Sequence, residues 1–152
     1  MIVRPATVAD VPAIHALVKY HADRGRMIQR HLDELFATLR ELHVAEMDQA
    51  IVGCAATHLF WSDLAELKCL AVREEIQGQG IGKALCLACH ADLRRLGVQK
   101  VFALTNAVGF FARLGYRRIE KETLPRFIWG ECVRCPSFPQ CPEEALQLQL
   151  LP

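Results

Sequence analysis

The sequence has no excess charge of either sign: 18 Lys and Arg stand against 17 Asp and Glu in 152 residues, a formal charge of +1. Bulk electrostatics therefore call for neither a nucleic acid nor an anionic membrane as partner, and any recognition by charge has to be local. No apolar run reaches the length of a membrane span, and Arg4 and Asp10 interrupt the place where a secretory leader needs an unbroken apolar stretch. Internal repeats and low-complexity tracts are also missing, and no linker-like stretch precedes Pro125. These absences predict one cytoplasmic domain spanning residues 1–152. Cysteine is not scarce: there are seven. In a reducing compartment an odd count reads as free thiols or metal ligands before disulfides. What the chain does have is apolar residues, 52% of the total, enough for one sizeable core.

Hydrophobic spacing divides the chain into elements. A strand is predicted over 2–5, then a helix over 8–24 with Thr7 as N-cap, Asp10 three residues on, and Gly25 as stop. Val11, Ile14, Leu17, Val18 and His21 form its apolar stripe. A loop carrying Arg26 and Arg30 leads to a second helix near 31–41. The period then changes, and three consecutive antiparallel strands are predicted over 43–47, 50–60 and 64–72. A helix follows from Gly78 until Gly97 ends it, with a strand over 100–104, a short helix over 107–114 and a strand over 116–122. The segment 126–152 is rich in Cys and Pro at its start and receives no element.

The sharpest local signal is Gln77-Gly78-Gln79-Gly80-Ile81-Gly82-Lys83, placed after a strand and opening a helix. Glycines let successive N–H groups turn outward together, and the first turn of a helix adds unpaired donors and a positive dipole end, a combination suited to a diphosphate. The spacing is not that of the nucleoside-triphosphate loop. The preceding strand sits in a meander and does not open a βαβ unit, which argues against a dinucleotide fingerprint. A turn that only lets a helix pack closely is the alternative.

With its Gln77-x-x-Gly80-x-Gly82 pattern and its order of elements, the chain resembles the GNAT acetyltransferase superfamily. The segments AELKCLAV at 65–72, FFARLGY at 110–116, KETLP at 121–125 and CVRCPSFPQC at 132–141 are similar to bacterial amino-acid acetyltransferases of the N-acetylglutamate synthase type. The likeness is to the short, stand-alone form without an amino-acid-kinase domain. It implies an α/β (α+β) fold with a central mixed, mostly antiparallel sheet of six or seven strands flanked by about four helices. Acetyl-CoA is the implied co-substrate and no metal is required. Gln77, Gly78, Gln79, Gly80, Ile81, Gly82 and Lys83 would hold the diphosphate, and Leu70, Ala71 and Val72 the pantetheine arm. Phe110 and Phe111 would line the channel or join the core. A backbone N–H near Leu70 would polarise the thioester carbonyl.

The resemblance also implies transfer to the α-amine of L-glutamate, the entry step of arginine synthesis. An amine attacks only with its lone pair free, so a base is needed, and Glu66, expected on the same alternating face as Leu70, is the candidate. A surface carboxylate pairing with Lys68 is the other reading of Glu66. The position that carries an acidic tyrosine in many relatives is Phe111 here, which leaves water or Thr105 to protonate the departing thiolate. Arg30 and Lys68, with Arg134 as a third, are candidates to hold the substrate carboxylates. The alternatives are another amine acceptor, such as a different amino acid, a drug or a protein N-terminus, and a non-catalytic acyl-CoA-binding module. Association as a homodimer is left open. Cys132-x-x-Cys135 with Cys141 has metal-like spacing but lacks a fourth local ligand, so packing or occasional oxidation is the simpler expectation, and His58 or His43 would have to arrive through folding. Cys54, Cys69, Cys86 and Cys89 read as core.

Overall fold

The computed structural model describes residues 1–126, 128 and 143–152. Seven strands form one sheet: β1 (Ile2–Pro5), β2 (Leu42–Met47), β3 (Ala50–Trp61), β4 (Leu64–Val72), β5 (Lys100–Thr105), β6 (Arg117–Ile119) and β7 (Glu144–Gln149). Their spatial order is β1-β2-β3-β4-β5-β7-β6. Every pairing is antiparallel except β4 with β5. Among the described residues four α-helices cover it: α1 (Val11–Ala22), α2 (Leu32–Ala37), α3 (Ile81–Arg95) and α4 (Val108–Arg113).

Two apolar stripes explain the layers. Along α1, Val11, Ile14, Leu17 and Val18 are buried and meet Leu35 of α2 and Leu42, Val44, Cys54, Ala56 and Ala71 of the sheet. On the opposite face Ile81, Leu85, Cys86, Cys89 and Leu93 of α3 cover Ala45, Ala55, Ala65, Leu67 and Val101. Gly53 permits that approach, because a Cβ there would lie 2.9 Å from Leu85 Cδ1. At its far end α3 stops on Gly97: the Val98 N–H reaches Leu93 O and the Gly97 N–H reaches Arg94 O, the paired bonds of a left-handed helix stop.

The structure departs from the sequence expectations at four places. The helix expected over 8–24 opens with a 3-10 turn, Val8–Asp10, before α1. The one expected over 31–41 is α2 followed by a separate 3-10 turn, Leu39–Glu41. The strand expected over 116–122 is only β6, because the chain turns at Lys121–Thr123, where the Thr123 hydroxyl donates to Glu120 O at 2.7 Å. And β7, to which no element was assigned, lies between β5 and β6, its Leu146 buried on the α3 side and its Ala145 on the other.

The entry to α1 is pinned by charge. Arg4 donates to both Asp10 carboxylate oxygens, at 2.7 and 3.0 Å, and to Glu46 at 3.1 Å, while the Thr7 N–H and hydroxyl also reach Asp10. The Arg4 guanidinium, helped by Thr7 and opposed by burial, holds the Asp10 carboxyl down at about 2. Its folded value lies below its unfolded one, so the stabilisation is full above about pH 4 and is lost as pH falls toward 2. Asp10→Asn is expected to lower unfolding stability by about 2 kcal/mol at neutral pH. In urea denaturation the gap from the parent should close between pH 4 and 2; a gap independent of pH would exclude this origin.

Candidate active site

The parallel pairing of β4 with β5 is short: Leu64, Ala65 and Glu66 face Lys100, Val101 and Phe102, and beyond Glu66 the two strands part. On the other side β4 stays with β3, but only by way of a bulge. Cys54 pairs with Ala71 and Ala56 with Lys68, so Ala55 stands opposite two residues, Cys69 and Leu70, and Cys69 takes a left-handed φ of 55°. Leu70 is thereby left outside both registers.

The bulge also reverses the alternation of side chains. Ala65 and Leu67 face α3, as do Leu70 and Val72, whereas Ala71 joins the α1 side. Glu66 and Lys68 therefore lie on the face opposite Leu70, which corrects the expectation that Glu66 and Leu70 share one. An inserted residue shifts the side-chain period by one, and nothing in AELKCLAV announces it.

Where the strands part, a cleft of about 600 Å³ opens. Its walls are Leu70 and Val72 of β4, the turn from Ile76 through Lys83, and Ala107, Phe110, Arg113 and Leu114 at α4, with Gln79 not contributing. Gly78 and Gly80 have φ of 83° and 84° with open space where a Cβ would stand, so the turn is both left-handed and unobstructed. Gly80 precedes the first residue of α3, whose opening amides have no partner within the helix. Lys83 and Arg113 add positive charge at the rim. Open glycines, free helix-start amides and two cations suit a diphosphate, and the apolar walls behind them suit an alkyl chain.

The turn is anchored to the end of β4. The Val72 carbonyl accepts from His21 Nε2 at 2.8 Å and from the Gln77 side chain at 3.2 Å. Because a carbonyl only accepts, the His21 proton sits on Nε2, and Nδ1 accepts from Arg26 at 3.2 Å. Arg26 also donates to Glu74 at 3.0 Å, and the Tyr20 hydroxyl donates to the same carboxylate. Gln77 and Arg26 thus brace the scaffold.

Other expected residues fall elsewhere. Phe110 lines the cleft, but Phe111 is in the core at 4% exposure, its ring edge-on to Tyr116 at 5.0 Å. The Tyr116 hydroxyl is itself bonded to buried His90 at 2.7 Å, and burial drives that imidazole down to about 4. Thr105 caps the turn into α4, its Oγ1 accepting from the Ala107 N–H at 2.9 Å, and it does not line the cleft. Arg30 sits half-buried between α1 and α2 with its Nε out of solvent. Cys54, Cys86 and Cys89 are buried, and burial raises their thiols far above the range in which a thiolate forms, so they are inert packing groups. Arg134, Cys132, Cys135 and Cys141 lie outside the described residues. Among the described residues no cluster of three or more His, Cys, Asp or Glu could hold a metal, and no helix is long and apolar enough to cross a membrane. The sequence reading missed Ile76, Ala107, Arg113 and Leu114. The last two follow from Phe110 by helical spacing of three and four, a signal that was available.

A splayed parallel strand pair, a bulged strand and a glycine-turned helix start meet at one cleft whose geometry suits a diphosphate and an alkyl chain, on an α/β scaffold. Residues 38–118 match the acetyltransferase (GNAT) domain. The chain is 39% identical over 144 residues to an uncharacterised N-acetyltransferase of Chlorobaculum tepidum, covering 95% of this chain and 93% of that one. It is 37% identical over 136 residues to the amino-acid acetyltransferase of Mycobacterium tuberculosis, covering 88% and 78%. Among solved structures it is similar to an M. tuberculosis protein in complex with CoA and NLQ, with a TM-score of 0.85, 32% identity and coverage of 99% and 100%. It also resembles N-acetylglutamate synthase from Neisseria gonorrhoeae complexed with coenzyme A and N-acetyl-glutamate, with a TM-score of 0.89 and 27% identity, covering 99% of this chain and 35% of that one. The protein belongs to the GNAT family of N-acetyltransferases.

Proposed function

We propose that this enzyme transfers the acetyl group of acetyl-CoA to the α-amine of L-glutamate, the first committed step toward arginine. The observation that carries the reading is the parting of β4 from β5 just after Glu66, because it opens the α3 face to a thioester and leaves a buried carboxylate at the fork. The diphosphate would lie on the amides from Gly78 to Lys83, with the pantetheine arm along Leu70, Val72 and Phe110. A Leu70 N–H left out of both ladders would donate to the carbonyl oxygen as it gains negative charge. Glu66, at 8% exposure, would take the proton from the acceptor ammonium, directly or through water.

On the same face Lys68 follows Glu66 by two residues, and Arg30, in the loop before α2, would supply a second cation. A base with two such cations at hand would suit an amino acid that brings two carboxylates. The names of the relatives agree: the M. tuberculosis protein is called an amino-acid acetyltransferase, and the Neisseria structure contains N-acetyl-glutamate.

Thiol release from acetyl-CoA against each of the twenty amino acids tests the reading, with L-glutamate expected to be the best acceptor. Arg30→Ala should raise the KM for glutamate at least tenfold, about the 1.4 kcal/mol expected from one charge-assisted contact, and leave that for acetyl-CoA unchanged. Greater activity on another amine would move the acceptor assignment, and retained coenzyme binding without turnover on any amine would remove the enzymatic one.

A further inference from the structure

One proton has to leave this site in every turnover. Acetylating an ammonium group forms an N–C bond, breaks the C–S bond and strips two protons from nitrogen. One of them ends on the coenzyme A sulfur; the other has to reach bulk water in every turnover. If Glu66 collects it, a carboxylate at 8% exposure must pass it on while both substrates cover the fork.

Directly opposite Glu66 on the neighbouring antiparallel strand stands His58. Cross-strand partners share a face with Cβ atoms about 4.5–5.5 Å apart, within reach of one hydrogen bond or one bridging water. His58 is held by a second carboxylate, its Nδ1 lying 2.8 Å from Glu41 Oε2. A carboxylate only accepts, so the proton of the neutral ring sits on Nδ1 and the lone pair is on Nε2. The Phe60 ring stands edge-on to the imidazole at 4.9 Å and fixes its plane. The side chain is 38% exposed, so it touches water as well as the buried carboxylate's side of the sheet. Glu41 from the turn before β2, and Glu66 and Lys68 from β4, are the charged groups on the elements packed against it.

We infer that His58, oriented by Glu41, is the proton exit of the acetyl-transfer site. Nε2 takes the proton from the Glu66 carboxyl, directly or through one water, and the imidazolium stabilised by Glu41 releases it to solvent, restoring both groups. His58 acts through Glu66 and is a positioning residue, as is Glu41. The inference rests on Glu66 being the base.

The test compares the parent with His58→Gln, Glu41→Gln and Glu66→Gln, using acetyl-CoA and the amino acid most rapidly acetylated in the panel above. His58→Gln is expected to lower kcat about tenfold or more, to leave the KM for acetyl-CoA within twofold, and to remove one limb of the pH–rate profile. Added imidazole should restore a large part of the lost rate, and Glu41→Gln should shift the same limb without abolishing it. A purely structural His58–Glu41 pair would instead lower the melting temperature and leave the pH profile in place. A His58→Gln enzyme with the parent's kcat and pH profile, or a loss that imidazole does not restore, overturns the relay. Glu66→Gln separates the two levels. An inactive Glu66→Gln beside a fully active His58→Gln removes the relay alone, and an active Glu66→Gln removes the base and the relay together.

Discussion

Glu66→Gln is expected to reduce kcat for amine acetylation on the order of 100-fold at neutral pH, the usual contribution of a positioned base. Glutamine conserves the volume and can still hydrogen bond, so the fold and the cleft should be unaffected. Because Glu66 and the cleft wall formed by Leu70 and Val72 are on opposite faces of β4, the KM for acetyl-CoA should stay within twofold. The deficit should shrink as pH rises, since at high pH the acceptor amine loses its proton without help. Thiol release measured across the pH range reads both effects. A variant that matched the parent at neutral pH would make Glu66 a structural carboxylate and leave the amine to be deprotonated by water.

Gly82→Val should act on the other substrate. A Cβ on Gly82 would stand 3.4 Å from Phe110 Cζ and 3.9 Å from Val72 Cγ2, between the two walls of the cleft. Two further methyl groups have no room except in the channel itself. The backbone of Gly82 is in the ordinary helical region, so valine costs little conformationally, and the main loss should be in ligand contacts. Displacing a diphosphate from two charge-assisted bonds is worth about 3 kcal/mol or more, which corresponds to roughly a 100-fold rise in the dissociation constant for acetyl-CoA. Equilibrium binding of the coenzyme, with the melting temperature of the free enzyme as control, reads the result. Unchanged affinity would mean that the coenzyme does not use this cleft.

These two residues also mark what a single sequence discloses. The glycine turn was legible because its chemistry is local: left-handed turns need glycine, and helix starts need partners for their amides. The stripes of α1 and α3 were legible for the same reason, since a period of three to four residues is written along the chain. The bulge at Cys69 was not, because a left-handed cysteine is selected by its neighbours in the sheet and leaves no mark in composition. Its consequence, the separation of Glu66 and Leu70 onto different faces, was therefore misread. The Phe110 and Phe111 pair was ambiguous by nature: adjacent aromatics on a short helix point about 100° apart, and only packing decides which one enters the cleft. In β7 the alternation of Leu146, Gln147, Leu148 and Gln149 was present but brief, and it followed a Cys and Pro-rich stretch that carries no period.

The place of β7 has a bearing on how the molecule is assembled. β7, which follows β6 in chain order, is not an edge but an interior member of the sheet, and among the described residues β6 pairs with β7 alone. As a ribosome delivers the chain, β5 can dock on β4 while its opposite margin stays bare, and residues 117–119 have nothing to pair with. Completion waits for residues 144–149 to slide between two segments made earlier, a step dominated by long-range closure, which is intrinsically slow. Until then the nascent chain presents the unsatisfied margin of a strand beside the future cleft, the kind of surface that invites pairing with a stranger.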